Sequence, residues 1–439
     1  MTESTRTVSV PLPTPAGGPE VAEAAPPGDV HWGRTEHVLV GALVTALVLT
    51  QRIGIPVGDT SISVALPLSY AVIGVLASRR ALAVGRLRLE LLLVALVSLL
   101  AVTAYVSYTG GTLSITSLLL LVAIYLPWAL RARTDLGREV VERAGRAFVR
   151  VVLVLAAVGV GQFLTQLAGV WAYEDYLGEW VPPQFLIADY NTSIPLVFGS
   201  EIYKSNAFLM LEPSAFSQFC ALAALIGLLL GVRAWQLLVL VAGLASAVSG
   251  TGIILFAVGL VLLVVHAPRR LRPAHLVAVT VIGGLALLSP AGPLLLNRTD
   301  EINQPQSSGY ARFVAPYSEV YDGLADEPSR YVVGAGPGTV ERLLSSARDG
   351  LGNDVLYSIV PKLAFEYGIV AGGLFIVFLV LALLDRPAWR VVPGSILVMV
   401  FLLSGALLQP QTAFIAWLFT GFAARDSGAP AGRPDAVAD

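Results

Sequence analysis

Arg312 stands in Gly309-Tyr310-Ala311-Arg312-Phe313, a polar run ahead of a glycine-rich turn, Gly334-Ala335-Gly336-Pro337-Gly338-Thr339. A guanidinium is a planar fork of donors that suits a diphosphate through two parallel hydrogen bonds. The plainer reading of Arg312 is a solvated surface cation. Glycines let a backbone turn tightly, and the short amphipathic segment behind this turn, 340–348, would offer free N–H groups to an anion. No Gly-Lys-Ser/Thr follows, so the turn is not a P-loop, and Pro337 removes one donor. A loop simply folding back would also explain it. Glu212-Pro213-Ser214 is the second group of interest. Pro213 suits a first helical turn, and Glu212 the positive end of the helix. Ser214, Ser217 and Gln218 continue a polar face from there, and Gln162, Thr165 and Gln166 make another. Together the two faces are expected to line one polar cavity.

Lys362 and Glu366 are four residues apart on a helical pattern, near the end of an apolar stretch. Charges at membrane depth are costly, so the two either neutralise each other or face a cavity. Lys204, one of only two lysines, and Arg330 are further candidates to bind an anion. The single cysteine, Cys220, excludes an intramolecular disulfide and a Cys-rich metal site, and reads as a small apolar packing residue. No nucleophile elbow and no Asp-x-Asp motif is present. All four histidines (His31, His37, His266 and His275) fall on the side opposite Arg312 in the topology below. A site built around Arg312 is therefore expected to work without His, metal or cofactor.

The elements that position these residues are membrane helices. The chain is 56% hydrophobic and 13% charged, where a soluble domain carries about 25% charged residues. Twelve apolar stretches are predicted as spans: 38–55, 60–78, 88–108, 112–130, 147–171, 213–231, 234–249, 251–266, 274–296, 356–384, 390–408 and 410–424. With the N-terminus inside, 20 of the 28 Lys and Arg residues fall on the inner side, as the positive-inside bias requires. The outer eight are Arg52, Lys204, Arg298, Arg312, Arg330, Arg342, Arg348 and Lys362. The inner cations form topology clusters without interleaved aromatics, which argues against nucleic-acid binding. Segment 135–146 has i,i+4 charge pairs and is expected to lie along the inner surface. The tails, 1–34 and 426–439, have the composition of disorder.

Two outer loops, about 172–212 and 297–355, are long enough to carry function. The first is aromatic and acidic, with Trp171, Tyr173, Tyr176, Trp180, Phe185, Tyr190 and Tyr203 in or beside it. These residues form either an interfacial belt or a surface for stacking sugars. The second holds five of the eight outer cations. No internal repeat of the kind that marks many transporters is present.

Four motifs between about 208 and 373 then align. Phe208-Leu209-Met210-Leu211-Glu212-Pro213-Ser214-Ala215 is similar to the "EPS" pattern of exopolysaccharide polymerases. Ser249-Gly250-Thr251-Gly252 separates two short spans. Arg312 precedes a "GxGxG" turn, and Phe365-Glu366-Tyr367-Gly368-Ile369 looks like an "xExG" start to the next span. In order, spacing and sidedness these resemble the O-antigen polymerase/ligase superfamily of membrane glycosyltransferases (Wzy-like and WaaL-like). The resemblance implies an all-α integral membrane fold of about twelve helices, GT-C-like, in the bacterial cytoplasmic (inner) membrane with both termini cytoplasmic.

It also implies outward transfer of a glycan from a polyprenyl-diphosphate carrier to a sugar hydroxyl of another lipid-linked repeat. Arg312 would stabilise the leaving diphosphate, with Arg330 and Lys204 in support. Glu212 would be the general base, with Asp354 second. Gly334, Gly336, Gly338, Lys362, Glu366 and Gln218 complete the expected substrate-binding set. The implied partners are the lipid-linked glycan and the bilayer, with a chain-length regulator and a flippase as candidates. Ligases of the superfamily carry a His where this chain reads Gly352-Asn353-Asp354-Val355-Leu356, and many members have an Arg after the Ser where it has Gly250 and Thr251. The missing His favours a polymerase over ligase-type transfer to a terminal acceptor. A flippase of lipid-linked oligosaccharide is the competing reading from another class.

Overall fold

The structure, a computed structural model, describes residues 32–422 apart from 58–59, 134–136, 188–189, 198, 289–307, 346–354, 356, 386 and 404. Residues 1–31 of the N-terminal tail, the C-terminal tail, Arg298, Arg348 and Asp354 therefore lie outside the described residues. The chain is mostly helical, at 71% helix with little sheet. It opens with α1 (Arg34–Leu49), a hairpin of β1 (Gly54–Val57) and β2 (Thr60–Ser63), and α2 (Ala65–Ser78). Next come β3 (Leu82–Val84), α3 (Arg86–Tyr108), α4 (Ile115–Tyr125), β4 (Leu130–Ala132) and α5 (Gly137–Leu167). After the short α6 (Tyr176–Trp180) follow α7 (Pro213–Leu230), α8 (Ala234–Ser246), α9 (Gly250–His266) and α10 (Pro273–Leu288). The second outer loop contains α11 (Ser308–Phe313), α12 (Ala315–Ala325), α13 (Arg330–Val333) and α14 (Val340–Ser345). The chain closes with α15 (Ile359–Leu384), α16 (Val391–Val398), a π-helical turn (Met399–Leu403) and α17 (Pro410–Phe419).

Each of the twelve apolar stretches carries a helix. Four helices, α3, α5, α7 and α15, are long and apolar enough to cross a membrane, and several shorter apolar helices accompany them. Helix α7 is the centre of the bundle. Pro213 fills its first turn and Gly231 caps it in the left-handed conformation (φ 69°, ψ 39°). Past Gln218 it is apolar all round, as an enclosed helix must be, and 83% of its residues are buried. Neighbouring helices approach closely through small residues: Gly159 of α5 faces Phe216, Gly243 of α8 faces Cys220, and Gly259 of α9 faces Leu225. Cys220 is thus a buried packing residue.

The two ends of the bundle are tied separately. At one end Arg79 pairs with Glu36 (2.9 Å) and Arg88 with Asp385 (2.6 Å), and β3 pairs antiparallel with β4. At the other, Arg52 pairs with Asp175, the Gln409 amide donates to the Tyr190 hydroxyl (2.8 Å), and the Gln411 amide donates to the Gln51 carbonyl (2.9 Å). Every one of these contacts joins segments that the charge pattern assigns to the same side.

Two expectations change. Residues 137–146 do not form a separate surface piece: they are continuous with the fifth apolar stretch. The resulting 31-residue helix is about 46 Å long, and its i,i+4 pairs, Arg138–Glu142 among them, stabilise the helix itself. Gln162 and Gln166 do not line an open cavity either. They are 4% and 5% exposed. Gln162 Oε1 accepts from Ser205 Oγ (2.9 Å) and the Ala207 N–H (3.0 Å), and Gln166 Oε1 accepts from the Tyr203 N–H (2.8 Å). They hold the first outer loop onto α5.

Candidate active site

Glu212 stands at the N-cap of α7 in an extended conformation (φ −146°, ψ 160°), but its side chain does not cap the helix. Instead Ser214 Oγ donates to its Oε2 (2.8 Å), and Arg312 Nη2 of α11 lies 3.7 Å from the same oxygen. Arg312 Nη1 donates to the Leu403 carbonyl at 3.3 Å, and the Gln218 amide donates to that same carbonyl at 3.1 Å. Leu403 ends the π-helical turn, a distortion frequent at functional sites. One carbonyl therefore ties α7, α11 and the turn together, so that three sequence-predicted residues, Glu212, Gln218 and Arg312, meet.

The Arg312 and Glu212 side chains are 13% and 12% exposed, set into the protein but reachable. Among the described residues, Leu403 and Glu212 are the polar partners of Arg312, and a guanidinium has five N–H donors. Burial pulls the Arg312 guanidinium below its ordinary value and Glu212 partly offsets this. A desolvated cation with donors to spare favours a second anion, here the charge that develops on a leaving group.

The second motif packs against this helix. Gly252 of α9 lies against Ser217, where a Cβ would collide with the Ser217 side chain. Ser217 Oγ in turn donates to the Ser214 carbonyl (2.9 Å). Ser249 and Thr251 hydroxyls are 3.1 Å apart at the start of α9.

The third and fourth motifs form one unit. Helix α15 is broken at Gly368 (φ 73°, ψ 172°), which leaves carbonyls of its first segment without helical partners. The glycine turn supplies them: the Ala335 N–H donates to the Phe365 carbonyl and the Gly336 N–H to the Glu366 carbonyl, both at 2.8 Å. Gly334 (φ 71°) and Gly368 face each other so closely that a Cβ on either would enter the other strand's backbone. Gly338 turns the chain toward α14, and its carbonyl accepts from Arg342 Nε (2.9 Å). Two N–H groups of the turn are thus engaged with α15. Lys362 and Glu366 pair at 3.2 Å, with side chains 6% and 2% exposed. Arg330 pairs locally with Glu327 (2.7 Å), and the Lys204 N–H donates to the Ile194 carbonyl (2.9 Å) in the first outer loop. Among the described residues, no three His, Cys, Asp or Glu side chains come together as metal ligands would.

Sequence reasoning missed a second ion pair at the same end. Arg52 grips Asp175 with both nitrogens, at 2.6 Å each, and also donates to the Phe208 carbonyl (3.0 Å). Asp175 further accepts from Thr192 Oγ1 (3.1 Å). Burial pushes the Asp175 carboxyl up, but the Arg52 hydrogen bonds and charge outweigh this and hold it below the usual carboxylate range. Arg52 was marked by being one of eight outer cations. Its partner, 123 residues away, carried no sequence signal.

The architecture is that of a helical membrane protein whose sequence motifs gather at one end of the bundle. A family model described as WcaD colanic acid polymerase matches residues 39–424, and the chain belongs to that family. The family is one of Wzy-like O-antigen and exopolysaccharide polymerases, so the chain polymerises lipid-linked repeat units into exopolysaccharide. No curated protein and no solved structure matches it.

Proposed function

We propose that chain extension takes place at the Glu212–Arg312 pair, on the outer side of a bacterial inner membrane that the chain crosses twelve times with both termini cytoplasmic. The Lys/Arg bias and the segregation of contacts to two ends support the topology. The observation that carries the site is the Arg312 guanidinium. It is desolvated and loosely paired, and it faces a carboxylate from another helix.

The acceptor is a sugar hydroxyl of one lipid-linked repeat, and the donor is a glycan on polyprenyl diphosphate. Glu212 takes the hydroxyl proton as the oxygen attacks the donor's anomeric carbon. The anomeric C–O bond to the diphosphate breaks and its electron pair goes to the diphosphate oxygen, where Arg312 stabilises the charge. The products are a longer lipid-linked glycan and free polyprenyl diphosphate. Gln218 fixes the turn that holds Arg312, and Lys204, Arg330 and the Lys362–Glu366 pair are the remaining candidates to bind substrate. Asp354 is the second candidate base. A chain-length regulator and a flippase are the proposed partners.

The test is the purified protein in lipid with a polyprenyl-diphosphate-linked repeat unit and no nucleotide sugar. A ladder of repeat lengths on a gel, abolished by Arg312→Ala at normal expression, is the expected result. Full activity in Arg312→Ala overturns the assignment.

A further inference from the structure

The first outer loop carries an aromatic shelf that the transfer chemistry does not use. Tyr176 and Trp180 of α6 stack at 5.5 Å with 30° between ring planes. Tyr176 and Trp171 both lie against Phe208, at 5.8 and 5.7 Å, and Trp171 Nε1 donates to the Tyr176 hydroxyl (2.9 Å). The rings are therefore fixed in relative position, yet Trp180 is 76% exposed.

The shelf is also fixed to the protein. Asp175, held by Arg52, accepts from the Gly178 N–H at the start of α6 (3.4 Å). Phe208 has φ +60° and the preceding Ala207 φ +49°, a backbone region that non-glycine residues occupy only when their surroundings impose it. Here they do: the Phe208 carbonyl accepts from Arg52 and its N–H donates to Asn206 Oδ1 (3.0 Å), while the Ala207 N–H donates to Gln162. Phe208 is four residues before Glu212, so no more than about 14 Å of backbone separates the shelf from the proposed base.

Its charge says what it holds. Residues 171–203 contain five acidic side chains and no Lys or Arg. Glu174 and Glu179 are exposed, and their carboxylates have no hydrogen bond or ion pair among the described residues. Anionic headgroups select basic surfaces, and this stretch offers them none. Asp175 is offset by Arg52, but the exposed Glu174 and Glu179 carboxylates beside the rings disfavour phosphate and acidic sugars at the shelf itself. Aromatic faces beside acceptor carboxylates instead match a saccharide, whose C–H faces stack on rings and whose hydroxyls donate charge-assisted hydrogen bonds.

We propose that Trp171, Tyr176 and Trp180, with Glu174 and Glu179, form a subsite for an uncharged sugar portion of the acceptor glycan and hold it beside Glu212. The proposal rests on the Glu212–Arg312 reading for what the bound sugar does next.

The test uses the full chain in phosphatidylcholine nanodiscs. The fluorescence lost in Trp180→Tyr reports Trp180, and it is expected to be quenched by acrylamide but not by dibrominated phosphatidylcholine. In the polymerisation assay Trp180→Ala is expected to raise the acceptor KM about tenfold, the scale of one lost aromatic contact, with a smaller change in kcat and a shorter ladder. Trp180→Tyr is expected to restore most of the affinity. Quenching by the brominated lipid would make the shelf a membrane belt and overturn the proposal, as would an unchanged acceptor KM in Trp180→Ala. If Arg312→Ala kept full activity while Trp180→Ala still raised KM, the shelf would stand and the transfer site would have to be sought elsewhere.

Discussion

Two arginine–carboxylate pairs sit at the same end of this bundle, both largely out of water, and they differ in how much of their hydrogen-bonding capacity is used. Arg52 meets Asp175 with two 2.6 Å contacts and adds the Phe208 carbonyl. Asp175 is further satisfied by Thr192 and Gly178. Arg312 stands 3.7 Å from Glu212 and makes its hydrogen bond to Leu403 at 3.3 Å. A short bidentate pair with satisfied neighbours is a clamp. A long pair with donors in reserve can exchange its partner for a substrate oxygen. Burial and charge are shared by both, so neither distinguishes a structural pair from a chemical one; unused donors do.

The largest effect expected from this contrast is on stability. Arg52→Ala strands Asp175, and breaking a buried pair costs about 3–5 kcal/mol; thermal unfolding in nanodiscs should show it. Arg52→Lys should restore little, because an ammonium cannot reproduce the fork. An unchanged Tm with lost activity would break the comparison by making Arg52 the chemical residue. Arg312→Ala should behave the other way. Its Tm stays near wild type while repeat transfer falls by about 10²–10³-fold, the scale for one lost transition-state donor; Arg312→Lys recovers part. Glu212→Gln should lower turnover by about 10²-fold while the lipid-linked donor still binds, measured by retention of labelled donor on immobilised protein. Unaltered turnover would leave Arg312 without its proposed base.

The smallest effect separates the pairs by pH. Asp175 has a folded pKa below its ordinary value, so its stabilisation is fully present above about pH 4, the unfolded value. It disappears as pH falls through the lower folded value. The Tm of the wild type should therefore drop below about pH 4 and approach that of Asp175→Asn, which starts lower at neutral pH and is flatter. Parallel curves would mean that the charge of Asp175 adds nothing to the clamp.

What could be read from the sequence was local. Apolar runs marked the helices because membrane helices are uninterrupted and apolar, and Pro213 marked the start of α7. Glu212, Gln218 and Arg312 were singled out one by one, by residue type and side of the membrane. The meeting of Gln218 and Arg312 at the Leu403 carbonyl, which brings Arg312 to Glu212, depends on a π-helical turn that no pattern in 399–403 announces. Gln162 and Gln166 looked like cavity residues because they are polar in an apolar helix; the backbone groups they satisfy belong to a loop some forty residues later. Phe365-Glu366-Tyr367-Gly368 was visible as a motif, but the break at Gly368 follows from a glycine turn about thirty residues earlier. Non-local partners decide such cases, and one sequence does not show them.

The joint between that turn and the broken helix sets the smallest piece that can be exchanged between relatives. A chimera that imported the second outer loop alone would put foreign amides against Phe365 and Glu366, and foreign side chains where Gly334 and Gly368 face each other. The transplantable module is the loop together with Ile359–Tyr367, Gly368 and the segment at Ser114, whose N–H donates to the Pro337 carbonyl (2.7 Å). Chimeras that include that segment and are cut after Gly368 should assemble where those cut before Ile359 fail.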